Sequence, residues 1–356
     1  MAVKVLIIDD SLLMRALLTE IIGGAPDLEV VGSAPDALAA REMIKALNPD
    51  VLTLDVEMPK MDGLEFLERL MRLRPMPVVM ISSLTERGSQ VTLQALELGA
   101  VDYVAKPKAE NASQLQLYAD EIRDKVRAAA SARLRTRPAP AGQRSTPATT
   151  VTTSGTSGLS ARTLNEKIIA IGASTGGTEA IKDVLTALPA DMPGIVMVQH
   201  MPEAFTGSFA HRLDSLSRLT VVEAQGGEKI QPGHAYLAPG HSHLLVRKVG
   251  ASYQTELSQS EPVNRHRPAA DVLFQSVARE VGRNAIGVIL TGMGKDGAQG
   301  LLAMKQAGSW NIGQDQESCV VYGMPREAAN LGALNEVASL NEVAGRIITR
   351  LRSSER

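Results

Sequence analysis

The chain has 356 residues, more than the roughly 100–200 of one domain, so two cores are expected. Apolar residues make up 44% and charged residues 21%, an ordinary globular composition that excludes global disorder. A formal charge of −2 and only 3% aromatics argue against a nucleic-acid partner, and no apolar run approaches the roughly 18 residues of a membrane span.

From the amino terminus, strand-like and helix-like stretches alternate. Short uninterrupted apolar runs at Val3–Ile8, Leu28–Val31, Val51–Leu54, Val78–Ile81 and Val101–Val104 suit strands buried on both faces. Leu12–Ile22, Asp36–Leu47, Leu64–Leu73 and Ser89–Leu98 read as the helices between them, and Ser113–Ala130 as a fifth. Five βα units predict a doubly wound, five-stranded parallel sheet of flavodoxin-like type. With no signal-peptide pattern before Val3, a cytoplasmic protein is expected.

In such sheets the ligand lies beyond the carboxyl ends of the strands. Those ends carry Asp9 and Asp10, then Asp55, Ser82 and Lys106. Three converging carboxylates repel one another unless a cation is present, and an all-oxygen set suits Mg²⁺. Asp55, on the central strand, is placed to accept a phosphoryl group as an acyl phosphate, with a lysine and a hydroxyl to hold its oxygens.

The segments IIDDS, LDVEMPKMDGLEFL, VVMISS and ALELGAVDYVAKP resemble those of response-regulator receiver domains over residues 1 to about 125. The resemblance implies that Asp9, Asp10, Asp55 and the backbone of Glu57 bind Mg²⁺. It implies phosphorylation of Asp55 by a histidine kinase, with Ser82 and Lys106 contacting the phosphoryl group.

Between Ser131 and Ser160 the composition breaks: Ser, Thr, Pro and Gly fill 18 of 30 positions. Such a stretch buries too little to offset the entropy of ordering, so residues 126–164 are read as a flexible linker between a domain at 1–125 and another at 165–356. The charges between Ser131 and Ser160 are Arg133, Arg135, Arg137 and Arg144, which read as solvated.

A second α/β pattern follows, with strands at Lys167–Ile171, Ile195–Gln199 and Ala285–Leu290. The stretch Thr220–Arg247 is rich in Gly, Pro and β-branched residues and reads as an antiparallel excursion from a Rossmann-like sheet. The first strand leads into Gly172-Ala173-Ser174-Thr175-Gly176-Gly177 and then a helix. A dinucleotide site would need glycine where Ser174 stands and an acid where His200 ends the next strand, so a nucleotide-dependent reductase lacks its fingerprint. The third strand leads into a glycine-rich loop holding Asp296.

Ser174, His200 and Asp296, each just past a strand on one sheet edge, are what nucleophilic acyl transfer requires. Ser174 attacks, His200 takes its proton, and Asp296 fixes the imidazole and stabilises its cation. The chain order Ser…His…Asp differs from that of α/β-hydrolases. His241-x-His243, with His234 nearby, suggests metal ligands but has no evident carboxylate to complete the set. Asn264-Arg265-His266-Arg267-Pro268 is a basic cluster before a helix, read as a solvated turn or as a contact for an anionic substrate segment. Cys319, the only cysteine, excludes a disulfide framework and is expected to be a buried small residue.

IGASTGG, VMVQHMP, VNRHRPAADVLF, GVILTGMGKDGAQG and CVVYGMPREA resemble the catalytic domain of the chemotaxis protein-glutamate methylesterase (CheB) family. The resemblance implies hydrolysis of γ-glutamyl methyl esters on membrane chemoreceptors, and deamidation of receptor glutamines, with no cofactor at the hydrolase site. It implies oxyanion donors from the backbone around Thr175 and Met293, and recruitment to receptor arrays without membrane insertion. The competing reading is a response regulator whose second domain is not an enzyme.

Overall fold

The computed structural model describes residues 2–58, 61–83, 85–106, 112–133 and 157–355. The amino-terminal part runs β1 (Val3–Ile8), α1 (Leu12–Gly23), β2 (Leu28–Ala34), α2 (Ala37–Leu47), β3 (Val51–Asp55), α3 (Gly63–Leu73), β4 (Val78–Ser82), α4 (Glu86–Leu98), β5 (Asp102–Ala105) and α5 (Ala112–Ala130). The strands pair in parallel in the order β2-β1-β3-β4-β5. All five residues of β3 and of β4 are buried, as a sheet covered on both faces requires. Side-chain caps begin the helices: Ser11 accepts from Met14 N, Asp36 from Leu38 N and Ala39 N, and Asp62 from Glu65 N.

The carboxy-terminal part begins with α6 (Ala161–Glu166), β6 (Ile168–Ala173), α7 (Gly177–Ala187), β7 (Gly194–Gln199), α8 (Glu203–Leu216), β8 (Thr220–Glu223) and β9 (His234–Leu237). It continues with β10 (His243–Val249), β11 (Ser252–Ser258), α9 (Ala270–Glu280), β12 (Ala285–Ile289), α10 (Ala298–Gln306), β13 (Trp310–Gln314), α11 (Met324–Asn330), β14 (Glu336–Ala338) and α12 (Leu340–Ser353). Among the described residues its main sheet is seven-stranded and parallel, in the order β14-β13-β12-β6-β7-β9-β8. The antiparallel excursion is the β10–β11 ribbon, which begins inside Thr220–Arg247 and runs on to Ser258, and residues 227–230 of that stretch pair antiparallel with β11. Within that stretch β8 and β9 pair in parallel and extend the main sheet, the Gly/Pro-rich residues between them forming a crossover rather than a hairpin.

Of the expected linker, residues 134–156 lie outside the described residues. On its two flanks the chain is tied to the second domain. Arg133 N donates to Val320 O, and the Ser157 backbone and hydroxyl both donate to Asp191. Cys319 is buried, as expected.

The two parts also touch. Tyr103 of β5 packs its ring 4.6 Å from that of Phe205 on α8, with Lys125 Nζ 4.9 Å from the Tyr103 ring centre. Around that apolar centre Ser89 Oγ donates to Ala204 O, Thr175 Oγ1 donates to Asp102, and Glu97 pairs with Arg212.

Candidate active site

The first cluster forms where β1, β3 and β5 end. Asp9, Asp10 and Asp55 offer carboxylate oxygens that all lie within 4.8 Å of one another. Lys106 Nζ stands 2.8 Å from Asp55 and 3.7 Å from Asp9, and Glu57 N donates to Asp55. Burial is the main force on Asp55; with the nearby Asp9 charge it outweighs Lys106 and pushes the carboxyl up to about 6. Burial likewise raises Asp9, whose Oδ2 is buried with no hydrogen-bond partner. An orphaned oxygen in a cluster of three acids fits a hard divalent cation. Ser82 is at the same edge, its hydroxyl 2.7 Å from that of Thr92 and 3.4 Å from Gly88 O, both on α4.

The second cluster forms where β7, β6 and β12 end, three adjacent strands of the main sheet. Ser174 sits in the turn from β6 into α7. Gly176 closes that turn with φ 75°, a left-handed conformation that costs glycine nothing, and an added Cβ there would meet Val320 at 2.7 Å. Ser174 N donates to Thr291 O, and Gln199 Nε2 to Ser174 O. Gly292 lets the β12 loop come close, since a Cβ there would stand 2.8 Å from Ser174 Cβ.

His200 Nε2 lies 2.8 Å from Asp296 Oδ2, with both side chains nearly inaccessible. Asp296 also accepts from Ala270 N at 2.6 Å, Asp271 N at 3.2 Å and Asn264 Nδ2 at 2.9 Å. Burial alone would raise its carboxyl, but the hydrogen bond and charge of His200, with Asn264 and Ala270 N, hold it down to about 2. The two backbone donors belong to the first turn of α9, so a helix amino terminus also favours this anion. An ionised Asp296 can only accept, so the imidazole proton sits on Nε2. Nδ1 is then a bare lone pair, and it is buried without a partner. The structure thus brings His200 and Asp296 into contact and Ser174 to the adjoining strand end, with no hydrogen bond joining the serine to His200 Nδ1.

Thr175 and Met293, expected to help at an oxyanion, lie on the same edge. Thr175 O accepts from Thr291 Oγ1, and Met293 borders a cleft of about 420 Å³ between α5 and the loop around Val320. His241-x-His243 does not form a metal pair. His243 is buried, its Nδ1 accepting from Ala269 N and its Nε2 donating to Glu261 O, so no lone pair is left.

Two residues of the basic cluster have roles here that the sequence did not assign. His266 stacks on His200 with ring centres 3.7 Å apart, and Asn264 bridges Asp296 and Asp271. Burial, then the neighbouring His200, pushes His266 down to about 3. Val263 and His266 exchange backbone hydrogen bonds around Asn264 and Arg265, whose φ of 53° and 69° suit a tight two-residue turn, so the expected turn is present and it carries Asn264 onto Asp296. The only sequence signal was a polar run before a helix.

Fold and strand-end chemistry together define a class, a response regulator whose output domain has the makings of a serine hydrolase. Comparison with known proteins narrows it. Residues 5–117 match the response regulator receiver domain family and residues 169–347 match the CheB methylesterase family, so the chain belongs to the CheB methylesterase family. A protein-glutamate methylesterase/protein-glutamine glutaminase of Nitrosomonas europaea is 63% identical over 98% of this chain and 96% of its own length. One from Dechloromonas aromatica is 64% identical over 97% of each. The CheB methylesterase catalytic domain of Thermotoga maritima is 41% identical over 52% of this chain and 98% of that domain, with TM-score 0.51.

Proposed function

We propose that the chain is a phosphorylation-controlled protein-glutamate methylesterase that hydrolyses γ-glutamyl methyl esters of chemoreceptors and deamidates receptor glutamines. The observation that carries this is the Nε2–Asp296 contact beside the Ser174 turn, which leaves His200 Nδ1 free as a buried base. Ser174 Oγ attacks the ester carbonyl and its proton passes to His200 Nδ1. Asp296 stabilises the imidazolium that forms, and backbone donors around Thr175 and Met293 hold the oxyanion. The imidazolium of His200 then protonates the departing methoxide, or the amide nitrogen of a glutamine, releasing methanol or ammonia, and water frees the glutamate by the reverse sequence. Residues 165–356 form the catalytic domain.

Asp9, Asp10, Asp55 and the backbone of Glu57 would hold Mg²⁺ in the receiver. The ion would neutralise charge on a phosphoryl group transferred to Asp55 from a histidine kinase, with Lys106 and Ser82 taking up other oxygens. To reach that group the Ser82 hydroxyl has to leave Thr92 and Gly88 O, and α4, which holds them, also carries Ser89 and Glu97. Asp102 lies on Thr175, one residue past the nucleophile, so the unphosphorylated receiver covers the site and its displacement opens it.

No helix among the described residues is long and apolar enough to cross a membrane. A cytoplasmic protein recruited to receptor arrays fits this reading. Labelling with a fluorophosphonate tests it: wild-type protein should be modified at Ser174 and Ser174→Ala should not. Equal labelling of the two would point to a non-enzymatic output domain.

A further inference from the structure

The receiver meets the catalytic domain with acids. Glu97 of α4 pairs with Arg212 of α8 and approaches Lys182 of α7 at 3.9 Å. Asp102 of β5 accepts from the Thr175 hydroxyl, and Asp124 of α5 lies 3.6 Å from Arg265. Two of these partners adjoin, in the chain, a catalytic residue or the imidazole stacked on one, and two lie on the helices that lead away from the catalytic edge. Thr175 follows Ser174, and Lys182 lies on the helix that the Ser174 turn begins. Arg265 precedes the imidazole stacked on His200, and Arg212 lies on the helix that follows His200. Withdrawal of the receiver would leave Arg212 and Arg265 with no other carboxylate partner among the described residues, while Lys182 would keep Glu179.

A glutamyl methyl ester is itself neutral, so it gives these cations nothing to hold. The carboxylates that would replace Glu97, Asp102 and Asp124 have to come from residues flanking the ester. Accordingly we propose, resting on the function argued above, that the receiver is a charge mimic of the substrate. Arg212, Lys182, Arg265 and the Thr175 hydroxyl form a recognition surface for an acidic segment of the substrate protein, and the closed receiver occupies it with three carboxylates of its own. These four are specificity determinants. Arg212 and Lys182 are only 28% and 22% exposed beside Glu97, and water screens such a contact less than one on an open surface.

A plain interdomain lock makes the opposite forecast. If Arg212 only fastens the receiver, removing its charge speeds every substrate alike. If it also reads the substrate, the same change speeds a neutral substrate and penalises an acidic one. The test uses the full-length protein and two synthetic peptides, each with one glutamyl γ-methyl ester, flanked by glutamates in one and by glutamines in the other. Methanol release gives kcat/KM for each.

Wild type should prefer the acidic peptide, and added salt should bring the ratio toward one. Arg212→Gln and Arg265→Gln should each lower the acidic-to-neutral ratio about two- to fivefold, the range of a partly exposed charge pair. Both should raise kcat/KM for the neutral peptide, because the same change loosens the receiver. Glu97→Gln opens the same contact from the receiver side, so it should raise both rates by one factor and leave the ratio unchanged. Should Arg212→Gln fold poorly, Lys182→Gln serves as the second cation variant. The inference is overturned if wild type shows no preference, or if Arg212→Gln and Glu97→Gln act alike on the ratio. In either case Ser174-dependent release from the neutral peptide would leave the esterase reading standing. No such release from either peptide would overturn both.

Discussion

Asp296→Asn tests the catalytic arrangement at its most constrained point. The carboxylate takes four hydrogen bonds, from His200 Nε2, Ala270 N, Asp271 N and Asn264 Nδ2. An amide has one accepting oxygen and brings two new donors, so it cannot satisfy that set in either orientation. With its nitrogen toward His200, the imidazole proton must move to Nδ1, and the base is lost. Loss of the correct tautomer costs about 10⁴ in turnover in the serine-protease triad. With its nitrogen toward Asn264, the tautomer survives, but the imidazolium loses its anion and Asp271 N faces a donor. A charge-assisted hydrogen bond contributes about 1.5–3 kcal/mol, which makes a loss of about 10-fold the floor. We expect turnover to fall by about 10 to 10⁴ and stability by about 1–3 kcal/mol, one buried donor being left unsatisfied. Methanol release from methylated receptor membranes measures the first and urea denaturation the second. A folded variant that keeps more than a tenth of wild-type turnover would refute the assignment.

Ser174→Ala and His200→Ala should each cost several orders of magnitude and the double variant little more, because triad members act as a unit; a double loss equal to the product of the single losses counts against it. Residues 165–356 expressed alone should fold and, at saturating receptor, should turn over faster than the unphosphorylated full chain. A domain no faster than that would contradict the covering receiver. Converting a pose 99% closed into one 99% open takes about 5.5 kcal/mol, so phosphorylation should stimulate only partially, roughly tens-fold. His266 faces His200, Asp296, Lys125 and Arg265, and its folded value of about 3 lies below the unfolded value near 6.5. The unfolded state therefore binds the extra proton first, and stability is lost as pH falls from 6.5 toward 3. From pH 6.5 to 5 the loss is at most about 2 kcal/mol, less for a ring only partly shielded. Urea midpoints at pH 6.5 and 5 should diverge less in His266→Gln than in wild type, and equal divergence would count against the buried neutral ring.

The receiver sheet was legible because β3 and β4 are buried on both faces and therefore read as unbroken apolar runs. Strand ends then placed Asp9, Asp55, Ser174, His200 and Asp296 by topology alone, since parallel strands bring their carboxyl ends to one edge. Pairing was harder. β8 and β9 are short and joined by a segment with three glycines and one proline, a local pattern shared by hairpins and crossovers, and only the tertiary partner β7 decides between them. Asn264 and His266 belong to no periodic element and reach the site through unusual backbone angles that no local preference announces. Which imidazole nitrogen meets Asp296 is equally invisible in sequence, as is the contact between Asp102 and Thr175, 73 residues apart.

The most direct test of the account is methanol release from methylated chemoreceptor membranes, with and without a small-molecule phosphodonor and Mg²⁺. Wild-type protein should release methanol slowly, and faster once the phosphodonor is added. Asp55→Asn should keep only the slow rate, and Ser174→Ala should release none under either condition. Methanol release that persists in Ser174→Ala, or phosphodonor stimulation that survives in Asp55→Asn, would contradict a serine esterase governed by phosphorylation of its receiver.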